Sequence, residues 1–309
     1  MSNSINLNSL LACPICHKGL VHYRCGDCGI TFEVRDEIPS FISRPLYPSD
    51  SAHAEALSVI EFWGNGWAKR LAESDHNYLF KLDRHALEEY CKRSIEKSKI
   101  SQAIFGIDLK LDSLRNKVAL NIGCGCGSEA LLLCWGGAQV IAMDITRQAA
   151  EAAQKLMPII GANGISIQAD ARFIPLTSSS IDIVFSNGVI HHSSDMKKSV
   201  QEIHRILKPG GKAYIMLYAT WSITFMQMRL MLSTGEGDWE TGDRSNPHTT
   251  TYTKRECIRI FSQFSNVRIR KTGGNIRQLA KIGKYMPPVL DRLLFPYLGD
   301  ALYIVAEKS

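Results

Sequence analysis

The stretch that most restricts the fold is the glycine-rich turn GCGCG at residues 123–127. Before it, Val118 to Ile122 is a short run, apolar except for Asn121, which is typical of a strand buried in a parallel sheet. After it, Ser128 and Glu129 precede alanine and leucine residues, as at the start of a helix with an acidic first turn. A strand, a glycine turn and a helix in this order form the first half-unit of a cofactor-binding α/β fold.

Two cysteines, Cys124 and Cys126, lie within this turn. No histidine or second cysteine pair follows them at metal-ligand spacing, so we interpret them as small side chains that fit the turn. The last two glycines and Ala130 can be matched to the dinucleotide pattern G-x-G-x-x-A, and Asp144 lies near the position of its ribose-binding acid. From these residues alone, NAD and S-adenosylmethionine are both consistent.

The overall composition indicates a globular protein. The chain has 309 residues, enough for a large domain and a small one, and 45% of them are hydrophobic. No apolar run approaches membrane-spanning length, and the N-terminus lacks the features of a secretory signal. Because the nine cysteines are an odd number, we expect free thiols and a cytoplasmic location.

The segment CPICHKGLVHYRCGDC holds two Cys-x-x-Cys pairs, Cys13/Cys16 and Cys25/Cys28. Four thiolates presented by two tight turns close a tetrahedral Zn²⁺ site without an open position, so we expect the metal to be structural. With the strand-like segment and DEIPSF that follow, the pairs resemble the zinc ribbon of the proteins that activate tRNA and protein methyltransferases. Loss of zinc is expected to unfold the ribbon and to leave cofactor binding by the larger domain intact.

The remainder of the chain alternates between strand-like and helix-like segments. Residues 51–115 have the spacing of helices, and several later strands end in an acid or an amide. Such alternation predicts a doubly wound parallel sheet. The predicted strands are 118–122, 139–144, 165–171, 181–187, 212–217, 267–271 and 301–307.

Four blocks in order, LNIGCGCGSEA, VIAMDIT, QADARFIPLTSSSIDIVFSNGVIHH and EIHRILKPGGKAYIM, resemble the class I S-adenosylmethionine-dependent methyltransferases. The resemblance favours S-adenosylmethionine over NAD and implies a seven-stranded Rossmann-like sheet. It implies that the glycine backbone approaches the methionine part, that Asp144 holds the ribose, and that Asp170 and Ala171 bind adenine. The cofactor residues that it implies are Asn121, Gly123, Gly125, Gly127, Asp144, Ile145, Asp170, Ala171 and Asn187.

Asn121 departs from the family pattern, which usually has an acid at this position in contact with the ammonium group of the cofactor. An amide can accept that hydrogen bond but supplies no opposing charge, so we expect modest cofactor affinity. This departure also leaves open a non-catalytic binding or scaffold protein.

His191 and His192 follow the fourth strand, where the mouth of the active site is expected, and are the candidate catalytic residues. A base helps a hydroxyl acceptor more than an amine or a thiolate. A packing or helix-capping role beside residues 193–195 is equally consistent with the sequence. Tyr218 is a weaker candidate.

The pattern divides the chain into a zinc ribbon at 1–44, a linker and helical cap at 45–115, and a methyltransferase domain at 116–309. Two insertions, at about 219–251 and 275–299, can enclose an acceptor, which favours a small molecule such as a natural product, sugar or lipid precursor, with O-methylation slightly favoured.

The alternative acceptor is RNA. The net charge is +6, and residues 254–284 contain nine basic residues, among them Arg277 and Lys281, against one acid. This segment is either a solvated face or a surface for an anionic partner. The oligomeric state has no signature in the sequence.

Overall fold

The structure is a computed structural model that describes residues 5–73, 77–97, 111–222, 249–272 and 297–309. Nine strands in these ranges form one sheet, with the spatial order β1-β2-β5-β4-β3-β6-β7-β9-β8. The strands are β1 (Glu33–Arg35), β2 (Ile38–Ser40), β3 (Val118–Ile122), β4 (Gln139–Asp144), β5 (Gly164–Gln168), β6 (Ile181–Asn187), β7 (Leu207–Tyr218), β8 (Ser265–Thr272) and β9 (Ala301–Glu307).

The central strands are parallel and buried on both faces. All five residues of β3 are buried, and Leu120 lies between Ile141 of β4 and Val184 of β6 in register. Successive side chains enter different clusters: Leu120 packs with the core on one face, and Ala119 with the core on the other. Two covered faces explain why these strands are continuous apolar runs.

Six helices surround this sheet in the described ranges. Three of their starts are set by local chemistry: Gly127 is the N-cap of α3, Asp195 accepts a hydrogen bond from the Lys198 amide at the start of α5, and Thr253 with Glu256 forms a capping box at the start of α6. The helices are α1 (Asp50–Glu73), α2 (Arg84–Lys97), α3 (Ser128–Trp135), α4 (Arg147–Leu156), α5 (Met196–Ile206) and α6 (Lys254–Ile260).

The sheet has two more strands than the seven that we predicted. The β1–β2 hairpin belongs to the N-terminal cysteine segment and continues the sheet, because Ser40 pairs with Gln168 of β5 in parallel. The Phe41 amide also donates to the Gln168 carbonyl at 2.8 Å. A second connection lies nearby, where the Thr177 amide donates to the Leu10 carbonyl at 2.9 Å. The cysteine segment is therefore docked on the sheet edge, which its sequence did not reveal.

The other end of the sheet contains the last two predicted strands, but one of them is not parallel. β9 is antiparallel to both β7 and β8, so β9 alone is reversed and β8 runs in the same direction as β7 and the central strands. Most of both predicted insertions lies outside the described residues, which omit 223–248 and 273–296. Arg277 and Lys281 fall there too. None of the helices in the described ranges has the length and apolar character needed to cross a membrane.

Candidate active site

The carboxyl ends of β3, β4 and β6 border one cavity of about 390 Å³, together with the segment that follows β5. Helix α1 contributes Trp63 and Trp67 to the opposite wall. Two predicted cofactor residues, Asn121 and Gly127, lie behind the wall. The other seven line it: Gly123, Gly125, Asp144, Ile145, Asp170, Ala171 and Asn187.

The glycine turn needs glycine for conformation and for space. Gly125 has φ +52°, and a Cβ there would lie 2.6 Å from the Trp67 indole. Gly127 has φ +87°, and a Cβ there would lie 2.8 Å from the Cα of Ala153 in α4. Both backbones occupy the left-handed region that side chains disfavour. Cys124 is fully buried, with its sulfur 3.8 Å from the Ala149 carbonyl oxygen, so it packs beneath the turn.

Asp144 is held rigidly at the end of β4. Its Oδ1 accepts from the amide and the hydroxyl of Thr146, both at 2.9 Å, and its Oδ2 accepts from the Gly125 amide at 3.1 Å. Burial raises the pKa of this carboxyl, and the hydrogen bonds from Thr146 and Gly125 oppose that shift. Each oxygen of a carboxylate can accept more than one hydrogen bond, so Asp144 can still receive a pair of hydroxyl groups.

Asp170 is engaged by two residues that the sequence did not single out. The Arg172 guanidinium donates to Asp170 Oδ2 at 2.6 Å, and the Tyr47 hydroxyl lies 3.4 Å from the same oxygen. Burial raises the pKa of the Tyr47 phenol, which keeps its proton available for donation. Tyr47 lies in the segment that the sequence assigned to a linker, and only the fold brings it to this wall.

The two asparagines have different environments. Asn121 is 1% exposed, and within the described residues its Oδ1 has no hydrogen-bond partner. Asn187 donates from Nδ2 to Oε1 of Glu129 at 3.3 Å, while its own Oδ1 is buried without a described partner. Glu129 also lines the cavity, although the sequence marked it only as a first-turn acid.

The structure separates the two candidate histidines. His191 is fully buried outside the cavity wall, with its ring centroid 3.9 Å from that of Tyr218. Burial, with a further contribution from His192, lowers the pKa of His191 well below its ordinary value. His192 lines the cavity, and its Nδ1 lies 3.2 Å from the Thr249 hydroxyl. Tyr218 lines the cavity as well.

The four N-terminal cysteines converge. Their sulfur atoms all lie within 4.8 Å of one another, and those of Cys16 and Cys25 are 3.5 Å apart. In a tetrahedral site with zinc–sulfur bonds of about 2.3 Å, sulfur atoms are about 3.8 Å apart. This arrangement is compatible with a four-cysteine zinc site.

Residues 120–215 match the family described as "Methyltransferase domain". The malonyl-[acyl-carrier protein] O-methyltransferase of Enterobacter lignolyticus is 28% identical over 149 residues, which are 48% of this chain and 54% of the relative. Arginine-hydroxylase NDUFAF5 of Rattus norvegicus is 25% identical over 212 residues, 69% of this chain and 56% of the relative. The chain spans about half the length of these curated relatives.

Among solved structures, the YcgJ protein of Bacillus subtilis is similar to this chain at a TM-score of 0.45. It is 20% identical, and the match covers 62% of this chain and 92% of that one.

Proposed function

We propose that the chain transfers the methyl group of S-adenosylmethionine to a small-molecule acceptor. The premise is that residues 120–215 form a methyltransferase domain. A hydroxyl or carboxyl oxygen is the favoured methylated atom, and a natural product, sugar or lipid precursor is the expected class of acceptor. The observation that carries the proposal is the shared cavity, which joins the glycine turn and Asp144 to His192.

The residues present fit the cofactor. Asp144 offers a carboxylate with remaining acceptor capacity, and the glycine turn offers backbone without side chains. Asn187 contributes a buried Oδ1 that lacks a described partner. A nucleoside with an amino-acid tail would satisfy these groups, with its ribose on Asp144 and its tail along the turn.

The bound cofactor supplies an electrophilic methyl group on a sulfonium. The chain then has to align the acceptor oxygen with that methyl group and keep water out, which Trp63 and Trp67 favour by covering the cavity from α1. As the oxygen–carbon bond forms, the carbon–sulfur bond breaks and its electron pair remains on sulfur.

His192 is proposed to accept the proton of a hydroxyl acceptor. It lines the cavity, and Thr249 contacts its Nδ1, which can orient the ring. A carboxylate acceptor has no proton to lose, and His192 would then only position it. The name of the Enterobacter relative, an O-methyltransferase, supports oxygen as the methylated atom.

Methylation of RNA is the second candidate, because Lys254, Arg255, Arg259, Arg268 and Arg270 are all exposed on α6 and β8. A third reaction is suggested by the relative named as an arginine hydroxylase. A non-catalytic binding role would also retain the cavity.

One experiment separates these functions. The purified protein is incubated with S-adenosylmethionine carrying a labelled methyl group, in parallel with metabolite extract and with bulk RNA. The proposal expects S-adenosylhomocysteine and label in a small molecule whose mass rises by one methylene unit. Label in RNA, a mass gain of one oxygen atom, or no turnover with either substrate would contradict it.

We also propose that the four cysteines hold a structural Zn²⁺ and that the chain works in a reducing compartment, which the free thiols favour. The division into a ribbon at 1–44, a cap at 45–115 and a catalytic domain at 116–309, with the acceptor enclosed by the two insertions, remains part of the same proposal.

A further inference from the structure

Two carboxylates in the cavity wall lack a basic partner among the described residues. Asp170 is paired with Arg172, but Asp144 and Glu129 form no ion pair in that part of the chain. Asp144 is stabilised instead by hydrogen bonds from Thr146 and Gly125. In the proposed function the ribose binds Asp144, so no part of the cofactor is yet assigned to the charge of Glu129.

Glu129 is held in place by neutral donors. Ser128 donates from its hydroxyl to Oε2 at 2.8 Å, and Asn187 donates from Nδ2 to Oε1 at 3.3 Å. Its place in the first turn of α3, two residues after Gly127, puts the side chain at the positive end of the helix dipole. Glu129 therefore brings a fixed negative charge to the wall beside the glycine turn.

A cation at this wall would meet a second acceptor. The Oδ1 of Asn187 belongs to the amide that donates to Glu129, and it is buried without a described partner. An incoming N–H donor would satisfy this atom and the Glu129 carboxylate together. A buried acceptor that stays unpaired is costly, so the pair favours a ligand that donates.

We infer that Glu129, together with Asn187, binds the ammonium group on the amino-acid tail of S-adenosylmethionine, and so supplies the charge that Asn121 lacks. The inference rests on the proposed function. It places the ammonium site on the helix after the glycine turn instead of on the strand before it, where the uncharged Asn121 lies behind the cavity wall.

The test uses two ligands that differ in the tail. S-adenosylhomocysteine carries the ammonium group without the sulfonium charge, and 5′-methylthioadenosine has the nucleoside and thioether but no amino acid. Their affinities are measured by calorimetry on the full chain, for the wild type and for Glu129→Gln. We expect the variant to lose about 10- to 100-fold in affinity for S-adenosylhomocysteine, as for a lost charged hydrogen bond, and less than about twofold for 5′-methylthioadenosine.

Glu55→Gln is the matched control, because it removes the same charge from the same cavity at the side near Arg172. It is expected to change both affinities by a similar factor. Retained binding of 5′-methylthioadenosine shows in the same experiment that the variant cavity is folded.

Three results would overturn the assignment. Equal losses for both ligands in Glu129→Gln would make Glu129 structural, and no loss for either would place the ammonium elsewhere. S-adenosylmethionine is measured as a third ligand on the same two proteins, and a loss of affinity for it alone would place Glu129 at the sulfonium. A wild type that binds neither ligand overturns the proposed function itself, whereas the first three results leave it standing.

Discussion

Asp144 is the residue whose role can be tested most directly. Asp144→Asn keeps the size of the side chain and removes its charge and one acceptor oxygen. Because hydrogen bonds to a charged group are worth about 1.5–3 kcal/mol, we expect affinity for S-adenosylhomocysteine to fall by about 10- to 100-fold in calorimetry.

The control for this variant is Asp182→Asn. Asp182 lies at the opposite end of the strands, where it accepts from the Val118 amide at 2.9 Å and from Lys208 at 2.8 Å. Its loss should lower the melting temperature and leave cofactor affinity unchanged. Unaltered affinity in Asp144→Asn would show that the ribose does not bind at the end of β4.

The two histidines are expected to respond differently to alanine. His192→Ala should lower turnover by about 10²- to 10⁴-fold, as for a missing base, with little change in cofactor affinity. His191→Ala opens a hole in a packed core and should lower the free energy of unfolding by about 2–4 kcal/mol. Fixed-time activity assays measure the loss of turnover, and urea denaturation measures the loss of stability. Near-wild-type turnover in His192→Ala would show that His192 does not act as a general base.

The depressed pKa of His191 predicts acid sensitivity. In the unfolded chain this imidazole takes up a proton near its ordinary pKa of about 6.5, whereas the folded protein resists protonation. Stability from this residue is therefore present above that pH and lost as the pH falls below it. Between pH 7.5 and 5.5 the wild type should lose up to about 1.4 kcal/mol more than His191→Phe in urea denaturation. Parallel curves for the two proteins would contradict this account.

Not every residue of the cavity could be predicted from the sequence. Asp144 and the glycines were predictable because a strand and a turn position them locally. Tyr47 and Asp170 are 123 positions apart in the chain, and no local pattern predicts their contact. Glu129 was visible as a helix-start acid, but its meeting with Asn187 depends on how α3 packs beside β6.

Among the elements, the N-terminal hairpin changes an expectation. Because β2 pairs with β5 and Tyr47 reaches Asp170, the cysteine segment is continuous with the end of the cavity where we propose that adenine binds. Cys13→Ser/Cys16→Ser should therefore release zinc and also weaken S-adenosylhomocysteine binding, instead of leaving it intact. Metal analysis and calorimetry on the same preparations check both effects.

Tyr47→Phe is the companion variant. It removes only the hydroxyl that lies 3.4 Å from Asp170, so it should keep zinc and lose little affinity. Full cofactor affinity in the zinc-free double variant would show that the cysteine segment and the larger domain are independent units. A wild-type protein that contains no zinc after purification would contradict the metal assignment.

Strand positions were predicted more closely than strand lengths. β3, β4, β6 and β9 begin and end where their apolar runs do. β7 begins at Leu207 instead of residue 212, since the KPGG segment continues as strand after helix α5 instead of forming a separate turn. The helix ends at Ile206, before Pro209, and the sequence does not show that the chain is already extended from Leu207.

For the whole molecule, the basic segment near the C-terminus distinguishes the two acceptor classes. Arg255→Glu/Arg259→Glu reverses two exposed charges on α6. If the acceptor is a small molecule, turnover should stay within about twofold of wild type, because surface changes away from the cavity have small effects. Retention of RNA that weakens steeply with salt and is lost in this variant would support the nucleic-acid alternative.

The overall architecture was predictable because hydrophobic periodicity and turn chemistry agree along the chain. The sequence did not predict that β1 and β2 extend this sheet, since each has three residues and only the contact with β5 joins them to it. Short edge strands depend on their neighbours more than on their own residues.

At the far end of the sheet, β8 pairs with β9 and is the last strand among the described residues. An outermost strand offers unsatisfied backbone groups to any other extended chain, and natural proteins oppose such stacking with charged side chains. The exposed Arg268 and Arg270 on β8 place like charges where two molecules would otherwise join their sheets. The arginines of this strand thus oppose edge-to-edge pairing of two folded molecules.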